Sequence, residues 1–524
     1  MYRILKCTKD TYIQNFYING TSSIDANVGN ASTIDLSVLV NEKTLPNGSG
    51  SGIELSRGLL KFDLQPLYDL TSSILNINHS SFKATLKLFD IYGGQTVPSN
   101  YTLNVFPLAK AFDEGRGYDI LAFRDIDAAN FISASISSGL TLWDGQGCSI
   151  SGGLGNSNID YYTSGNLGNG IESFEKKQVF ERGDENLSID ITTLISGTLS
   201  NQIPNHGFRL AFTSSQETDG ITRFVKRFAT RHVNNPRLKP VIIIQYNDAI
   251  IDDNQMLYFD TNNNLYFYNN FRGSSRNFFS GSTEITGSDS LLLTLVASQS
   301  IKVLTSSFQS NFSASVSYYT SATLYHSQSF TGSQFSIGNT FITGTYHCPF
   351  TLSSSLINFI GPSSSLSFAQ YWQSLDGTIT YATGNYLQIN KIIGGNNSFQ
   401  ERNIVCNITN LKNYYTTTEI ARLRVFTIDY NTEVISYRIP QTMKPTVFKQ
   451  MYWRLLDAFS REILIDFDTE SNSTLLSCDA GGHYFDLYME DLVPNFVYEI
   501  EFLINENGKN IFLTNNGFRF KVIK

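Results

Sequence analysis

The run Ser81-Phe-Lys-Ala-Thr-Leu-Lys-Leu-Phe89 puts Phe82, Ala84, Leu86 and Leu88 on one side and Lys83, Thr85 and Lys87 on the other. An apolar period of two is the mark of a half-buried strand, because successive side chains of an extended chain point to opposite faces. The same period returns far along the chain. Tyr498, Ile500, Phe502 and Ile504 share a side, and residues 422–428 set Leu423, Val425 and Thr427 against Arg422, Arg424, Phe426 and Ile428, predicting a strand covered on both faces. Helical periodicity is scarce. Residues 190–200 predict one short helix with Ile191, Leu194 and Ile195 together, and residues 453–459 a turn or two of another. Gly- and Asn-rich turns separate the strand-like runs, among them Leu45-Pro-Asn-Gly-Ser-Gly-Ser-Gly52, Gly394-Gly-Asn-Asn397 and Asn505-Glu-Asn-Gly508. The expected fold class is therefore all-β, a jelly-roll-like β-sandwich followed by further Ig-like β-sandwich modules.

A chain of 524 residues exceeds one ordinary core. Val241-Ile-Ile-Ile-Gln-Tyr246 reads as a terminating strand and a second break falls near residues 392–399, so the expected divisions are 1–247, 248–392 and 393–524. Residues 131–182, rich in Ser, Gly and Asn, read as long surface loops. Only 16% of residues are charged and the net charge is −8, which argues against coating nucleic acid. No apolar run approaches the roughly 20 residues of a membrane span. The start, Met1-Tyr-Arg-Ile-Leu-Lys-Cys7, lacks the apolar stretch of a secretory signal. Cys7, Cys148, Cys348, Cys406 and Cys478 are scattered without a CxxC pair, so neither a disulfide framework nor a zinc clip is expected, and synthesis in a reducing cytoplasm fits.

Catalytic patterns are sparse. Glycan hydrolysis needs two carboxylates about 5–10 Å apart. The sequence pairs Asp113 with Glu114, Asp125 with Asp127, Asp184 with Glu185 and Asp252 with Asp253, all in polar contexts that read as solvated loops. None of the six histidines (His79, His206, His232, His326, His347, His483) lies in a Gly-x-Ser-x-Gly elbow or an HExxH pair. His483 reads as a turn residue entering a strand, and Tyr346-His-Cys348 as structural. Asp260-Thr-Asn-Asn-Asn264 has oxygen donors at positions 1, 3 and 5 of a calcium loop. Leu265 replaces its glycine and Phe271 its bidentate Glu, so a hairpin turn is the better reading. No cofactor and no metal is expected.

Across the first 247 residues a series of motifs runs in order. Asp10-Thr-Tyr-Ile13 and Asn27-Val-Gly-Asn-Ala-Ser-Thr-Ile-Asp-Leu36 come first, then Arg57-Gly-Leu-Leu-Lys-Phe-Asp-Leu64, Ala84-Thr-Leu-Lys-Leu88 and Trp143. Leu187-Ser-Ile-Asp-Ile-Thr-Thr-Leu194, His206-Gly-Phe-Arg-Leu210, Arg227-Phe-Ala-Thr-Arg-His232 and residues 235–246 close the block. This order resembles the DNRLRE domain, a jelly-roll-like sandwich of surface and phage structural proteins. Further on, residues 414–426, Met451-Tyr-Trp-Arg-Leu455, Gly482-His-Tyr-Phe-Asp-Leu-Tyr-Met489 and Phe518-Arg-Phe-Lys-Val-Ile523 resemble virion structural proteins of tailed, particularly contractile-tailed, bacteriophages.

The resemblance implies a non-enzymatic virion component at the neck, tail, baseplate or capsid surface, assembled in the host cytoplasm. It would bind other virion proteins and itself in a symmetric particle, without nucleic acid or membrane. The one concentrated basic run, Arg223-Phe-Val-Lys-Arg-Phe-Ala-Thr-Arg-His232, puts Arg223, Arg227 and Arg231 on one side of a strand. With Lys226, these residues are either strand furniture or a contact to an acidic neighbouring subunit. The alternative function is a carbohydrate-binding adhesin or receptor-binding fibre protein, with Tyr161, Tyr162, Tyr371 and Trp372 stacking on a host glycan. A third class, a glycan depolymerase, would need Asp125 and Asp127 in a cleft.

Overall fold

In the computed structural model the chain is all-β, 51% strand and 6% helix, with its sheets packed as sandwiches. The structure describes all residues except 19–20, 42–51, 72–74, 93–96, 121–126, 137–138, 169, 255, 310–314, 338–339, 356–364, 392–402, 431–443 and 507.

The first sandwich is organised by its first strand, Tyr2–Gln14. Its opening half pairs Tyr2–Lys6 with Val241–Gln245, and Lys83–Leu88 and Leu187–Asp190 follow outward in that sheet. A register shift between Cys7 and Lys9 then delivers the second half to Gly52–Phe62 in the opposite sheet, beside Phe208–Phe212, Tyr101–Pro107 and Lys176–Phe180. A bulge twists a strand and re-aims it, which lets one segment serve two sheets. Between them lie Ile34, Leu86, Leu103, Phe180, Phe228 and Ile244, all fully buried. The predicted alternation at 81–89 appears as the strand Lys83–Leu88, with Ala84, Leu86 and Leu88 in this core. The predicted short helix is Thr192–Leu199.

The second sheet system runs from Leu257–Tyr258 through Leu387–Asn390, Ser365–Gln373, Leu291–Gln309, Ser315–Ile337 and Thr340–Phe350 to Asn263–Tyr268. Leu293, Leu295, Tyr346, Phe368 and Trp372 fill its core. Leu291–Gln309 and Ser315–Ile337 pair along their length, from Leu291 with Gly332 to Gln309 with Ser315. Among the described residues their outer edges are paired only near the base, at 292–296 by Ser365–Gln373 and at 333–337 by Thr340–Phe350. Among the described residues, 297–309 and 315–326 thus form a two-stranded arm open on both edges. At about 3.4 Å per residue the arm is roughly 40 Å long.

The last sandwich packs Ile404–Ile408, Ile420–Asp429, Gly482–Tyr488 and Ser477–Asp479 against Tyr414–Thr416, Lys509–Ile523, Val497–Glu506, Met451–Asp457 and Ile463–Ile465. Residues 453–459, expected as helical turns, instead lie largely in Met451–Asp457, which pairs with Val497–Glu506 in the register Trp453 to Phe502. Partners some 50 residues away overrule a weak local pattern. In Ile420–Asp429, Ala421, Leu423, Val425 and Thr427 are buried, while Arg422 and Arg424 on the other side hold Asp486 and Asp479.

This sandwich docks on the first through ion pairs. Arg3 holds Asp491 at 2.9 Å and also meets Glu490; Arg237 meets Asp457 and reaches Glu462 at 2.8 Å; Lys83 meets Glu470 at 3.0 Å. The middle region joins it where Ile250 donates its N–H to Ser477 Oγ at 3.1 Å and Lys449 pairs with Asp253 at 3.2 Å.

Candidate functional site

The basic run does not set Arg223, Arg227 and Arg231 on one side of a strand. A register shift between Arg223 and Lys226 breaks the alternation of Arg223–Ala229, so Arg223, Lys226 and Phe228 are buried while Phe224 is exposed. Each cation is paired within the chain. Arg223 Nη2 lies 2.6 Å from Asp219, and Arg227 Nε 3.0 Å from Asp35. Lys226, 0% exposed, donates to Asp90 at 2.5 Å and to the carbonyls of Gly183 and Glu185 at 2.8 and 2.9 Å, beside the Phe228 and Phe180 rings. Arg231 lies beyond the strand and grips both oxygens of Glu114, at 2.6 and 2.5 Å. The strand-furniture reading fits these positions, and no acidic partner is needed to neutralise them.

Asp252 and Asp253 correct the solvated-loop reading, for both are buried. Burial pushes the Asp252 carboxyl up to about 7, against the backbone N–H bonds that favour its charge. Asp252 lines an open cleft of about 310 Å³ with Tyr266, Tyr268, Arg424 and Asp479, in which the two tyrosine rings lie near parallel with centroids 6.4 Å apart. Glu185 accepts three backbone N–H groups, from Glu181, Arg182 and Gly183, and so caps a turn. Asp125 lies outside the described residues, so its pairing with Asp127 does too.

His483 is the second residue of Gly482–Tyr488, as its sequence context suggests, but it is fully buried. Its Nε2 accepts the Phe448 N–H at 2.9 Å, and burial pushes its pKa down to about 4. Tyr346, His347 and Cys348 are strand residues; the Tyr346 hydroxyl accepts the Phe278 N–H at 2.7 Å and donates to the Ile285 carbonyl at 2.9 Å. Residues 260–264 do form a turn, with Asp260 in the left-handed region at φ 59° and its Oδ1 accepting the Ser354 N–H. It is not a hairpin, because the strands it joins sit at opposite ends of the sheet order. Trp372 and Tyr162 are buried, and Tyr161 is stacked under Arg209 at 4.5 Å, so the proposed sugar platform of Tyr161, Tyr162, Tyr371 and Trp372 is not assembled.

One polar cluster escaped the sequence reading because its members are far apart in the chain. Asp10, Glu114 and His232 bring one ligand-type atom each to within 4.8 Å of one another. Asp10 is fully buried, and its Oδ2 accepts the Arg231 backbone N–H at 2.6 Å. Glu114 Oε1 accepts the Asp10 N–H at 2.9 Å and stands 3.4 Å from His232 Nε2. Desolvation pushes the Asp10 carboxyl up to about 7, opposed by that Arg231 N–H.

The loop bearing Glu114 is stitched by Asn27, whose Nδ2 donates to the carbonyls of Glu114 and Ala129 at 2.9 and 2.8 Å and whose Oδ1 accepts from Gly29 and Gly117 at 3.1 Å each. Gly29 is required by close approach: a Cβ there would lie 2.0 Å from the Glu114 carbonyl oxygen. The Asp10, Asn27-Val-Gly29 and Arg231-His232 motifs therefore belong to one local structure.

No family model matches the chain, and no curated protein does. Among solved structures it overlaps the fibronectin(III)-like modules of Clostridium thermocellum CbhA at 8% identity and TM-score 0.13, covering 52% of this chain and 90% of that one. It also overlaps Salmonella alpha-2-macroglobulin at 9% identity and TM-score 0.13, where it spans 45% of the other chain's length. Overlaps at this score carry no argument about kinship or function.

Proposed function

We propose that this chain is a non-enzymatic structural component of a bacteriophage particle, built into a neck, tail, baseplate or capsid-surface assembly by contacts with other virion proteins and with itself. The observation that carries the reading is the arm. An unprotected strand edge is a template for another strand, and proteins that remain single blunt their edges with charges, prolines or bulges. Residues 297–309 and 315–326 contain one charge, Lys302, and no proline. The backbone shift between Leu304 and Ser306 is the single irregularity in that pairing. A two-stranded ribbon standing alone is marginal in water, so edges of this kind fit a β-addition joint between subunits. The order of sequence motifs supplies the viral part of the reading. Sedimentation of the recombinant chain tests self-association: a defined oligomer that becomes monomeric when 298–325 is replaced by a short turn supports it, and a monomer at high concentration defeats it. Mass spectrometry of purified particles tests the viral assignment, which falls if the chain is not among their proteins.

A carbohydrate-binding fibre protein is favoured by a different observation, the open cleft with the parallel Tyr266 and Tyr268 rings above Asp252, Arg424 and Asp479. Aromatic faces with flanking carboxylate and guanidinium groups suit a sugar ring. A glycan array decides, with specific hits that disappear in Tyr268→Ala required for this reading.

A further inference from the structure

Among the described residues, two buried side-chain atoms without a hydrogen-bond partner, Asp10 Oδ1 and His232 Nε2, belong to residues of the same cluster. The Arg231 guanidinium accounts for Glu114 but touches neither of them. Buried polar atoms are almost always satisfied, and an orphan pair at one point calls for a missing partner. Water would answer a single orphan. A carboxylate oxygen, a second carboxylate oxygen and an imidazole nitrogen converging from three segments are the donor set of a divalent transition ion.

The geometry agrees. Two ligands bound at about 2.1 Å to a tetrahedral ion stand about 3.4 Å apart, and Glu114 Oε1 and His232 Nε2 are 3.4 Å apart. Asp10 needs only a small approach, since all three donor atoms already fall within 4.8 Å. The outer layer is in place as well: Arg231 and the Asp10 N–H orient Glu114, and the Arg231 N–H orients Asp10 through Oδ2. Metal-binding carboxylates are held by such hydrogen bonds.

We propose that Asp10, Glu114 and His232 form a binding site for a divalent transition cation of the zinc class. The ion ties the first strand, the 113–117 loop and the segment after Arg223–Ala229 into one unit. Imidazole and low coordination disfavour calcium and magnesium, which take six or more oxygens. Arg231 offsets one of the two carboxylate charges, so the empty site carries one net negative charge and binds a divalent ion more weakly than an all-anionic site. Three protein ligands leave a fourth position for water on the side where His232 is partly exposed.

The test uses the full, tag-free chain after chelation. Excess Co2+ should bind one ion per chain and give the intense visible absorption of a four- or five-coordinate site, and Zn2+ should abolish that spectrum by competition. Zn2+ should also raise the melting midpoint of the first sandwich by several degrees, while Ca2+ should not. His232→Gln and Asp10→Asn should each lose the Co2+ spectrum, and His206→Gln should keep it. Absence of the visible band in the wild-type chain overturns the site without recourse to any variant. Retention of full Co2+ and Zn2+ binding in both His232→Gln and Asp10→Asn overturns it equally.

Discussion

Lys226→Met is the substitution that separates a buried structural cation from a partner-seeking one. Methionine keeps the unbranched stem and fills nearly the same volume, so the packing between Phe180 and Phe228 survives and the loss is that of the ammonium. What disappears is a bond to Asp90 at 2.5 Å and two bonds to carbonyls at 2.8 and 2.9 Å. Breaking a buried ion pair by removing one partner costs about 3–5 kcal/mol. Asp90 keeps 15% of its side-chain exposure and can recover some hydration, which puts the expected loss near the lower end, about 3 kcal/mol. For a sandwich of this size that is a fall of about 6–12 °C in midpoint. Differential scanning calorimetry of the intact chain reads it, with Lys177→Met as the control, since Lys177 is mostly exposed and 3.9 Å from its carboxylate. The double substitution with Asp90→Asn should recover at least about 1 kcal/mol, because the two side chains act as one unit. A Lys226→Met midpoint within about 2 °C of wild type would refute the reasoning and return this residue to the pool of intersubunit contacts.

Three further outcomes follow from described contacts. His483 is held neutral with its pKa pushed down to about 4, so its contribution is complete above the ordinary histidine value of about 6.5 and is lost as pH falls toward 4, at up to about 1.4 kcal/mol per pH unit. Urea unfolding along a pH series should show this slope, reduced in His483→Gln. Asp252 acts in the opposite sense. Its pKa is raised to about 7, so its contribution is complete below about 4 and is lost as pH rises to about 7, and Asp252→Asn should be more stable than wild type in mild alkali but not in acid. Gly29→Ala forces a methyl into the Glu114 carbonyl, 2.0 Å away. It should cost about 2 kcal/mol or more, read as a lowered calorimetric midpoint of the first sandwich.

The strands were legible where one face is covered and the other wet, as at 81–89, because burial then writes period two into the sequence. Residues 453–459 were misread because a strand covered on both sides loses its alternation: Tyr452, Trp453, Leu455 and Leu456 are all buried. The shared face expected of Arg223, Arg227 and Arg231 fails for a different reason. A bulge moves every later side chain to the other face, and nothing local in Arg223-Phe-Val-Lys marks it. Asp252 and Asp253 look like loop residues until the Cys478 segment, more than 220 residues later, closes over them. The Asp10, Glu114 and His232 cluster has the same origin. Its motifs were visible singly, but their meeting depends on Asn27 folding the 113–117 loop back onto the first strand.

The shared strand Tyr2–Gln14 also sets a timetable for biosynthesis. Its first half cannot hydrogen-bond natively until Val241–Gln245 has been made, and Arg3 waits for Asp491. At roughly 5–20 residues per second, the opening segment is without its strand partner for about 10–50 s and without its ionic partner for about twice as long. Truncations that end before residue 241 leave Tyr2–Lys6 without its strand partner and should fail to yield a soluble first sandwich.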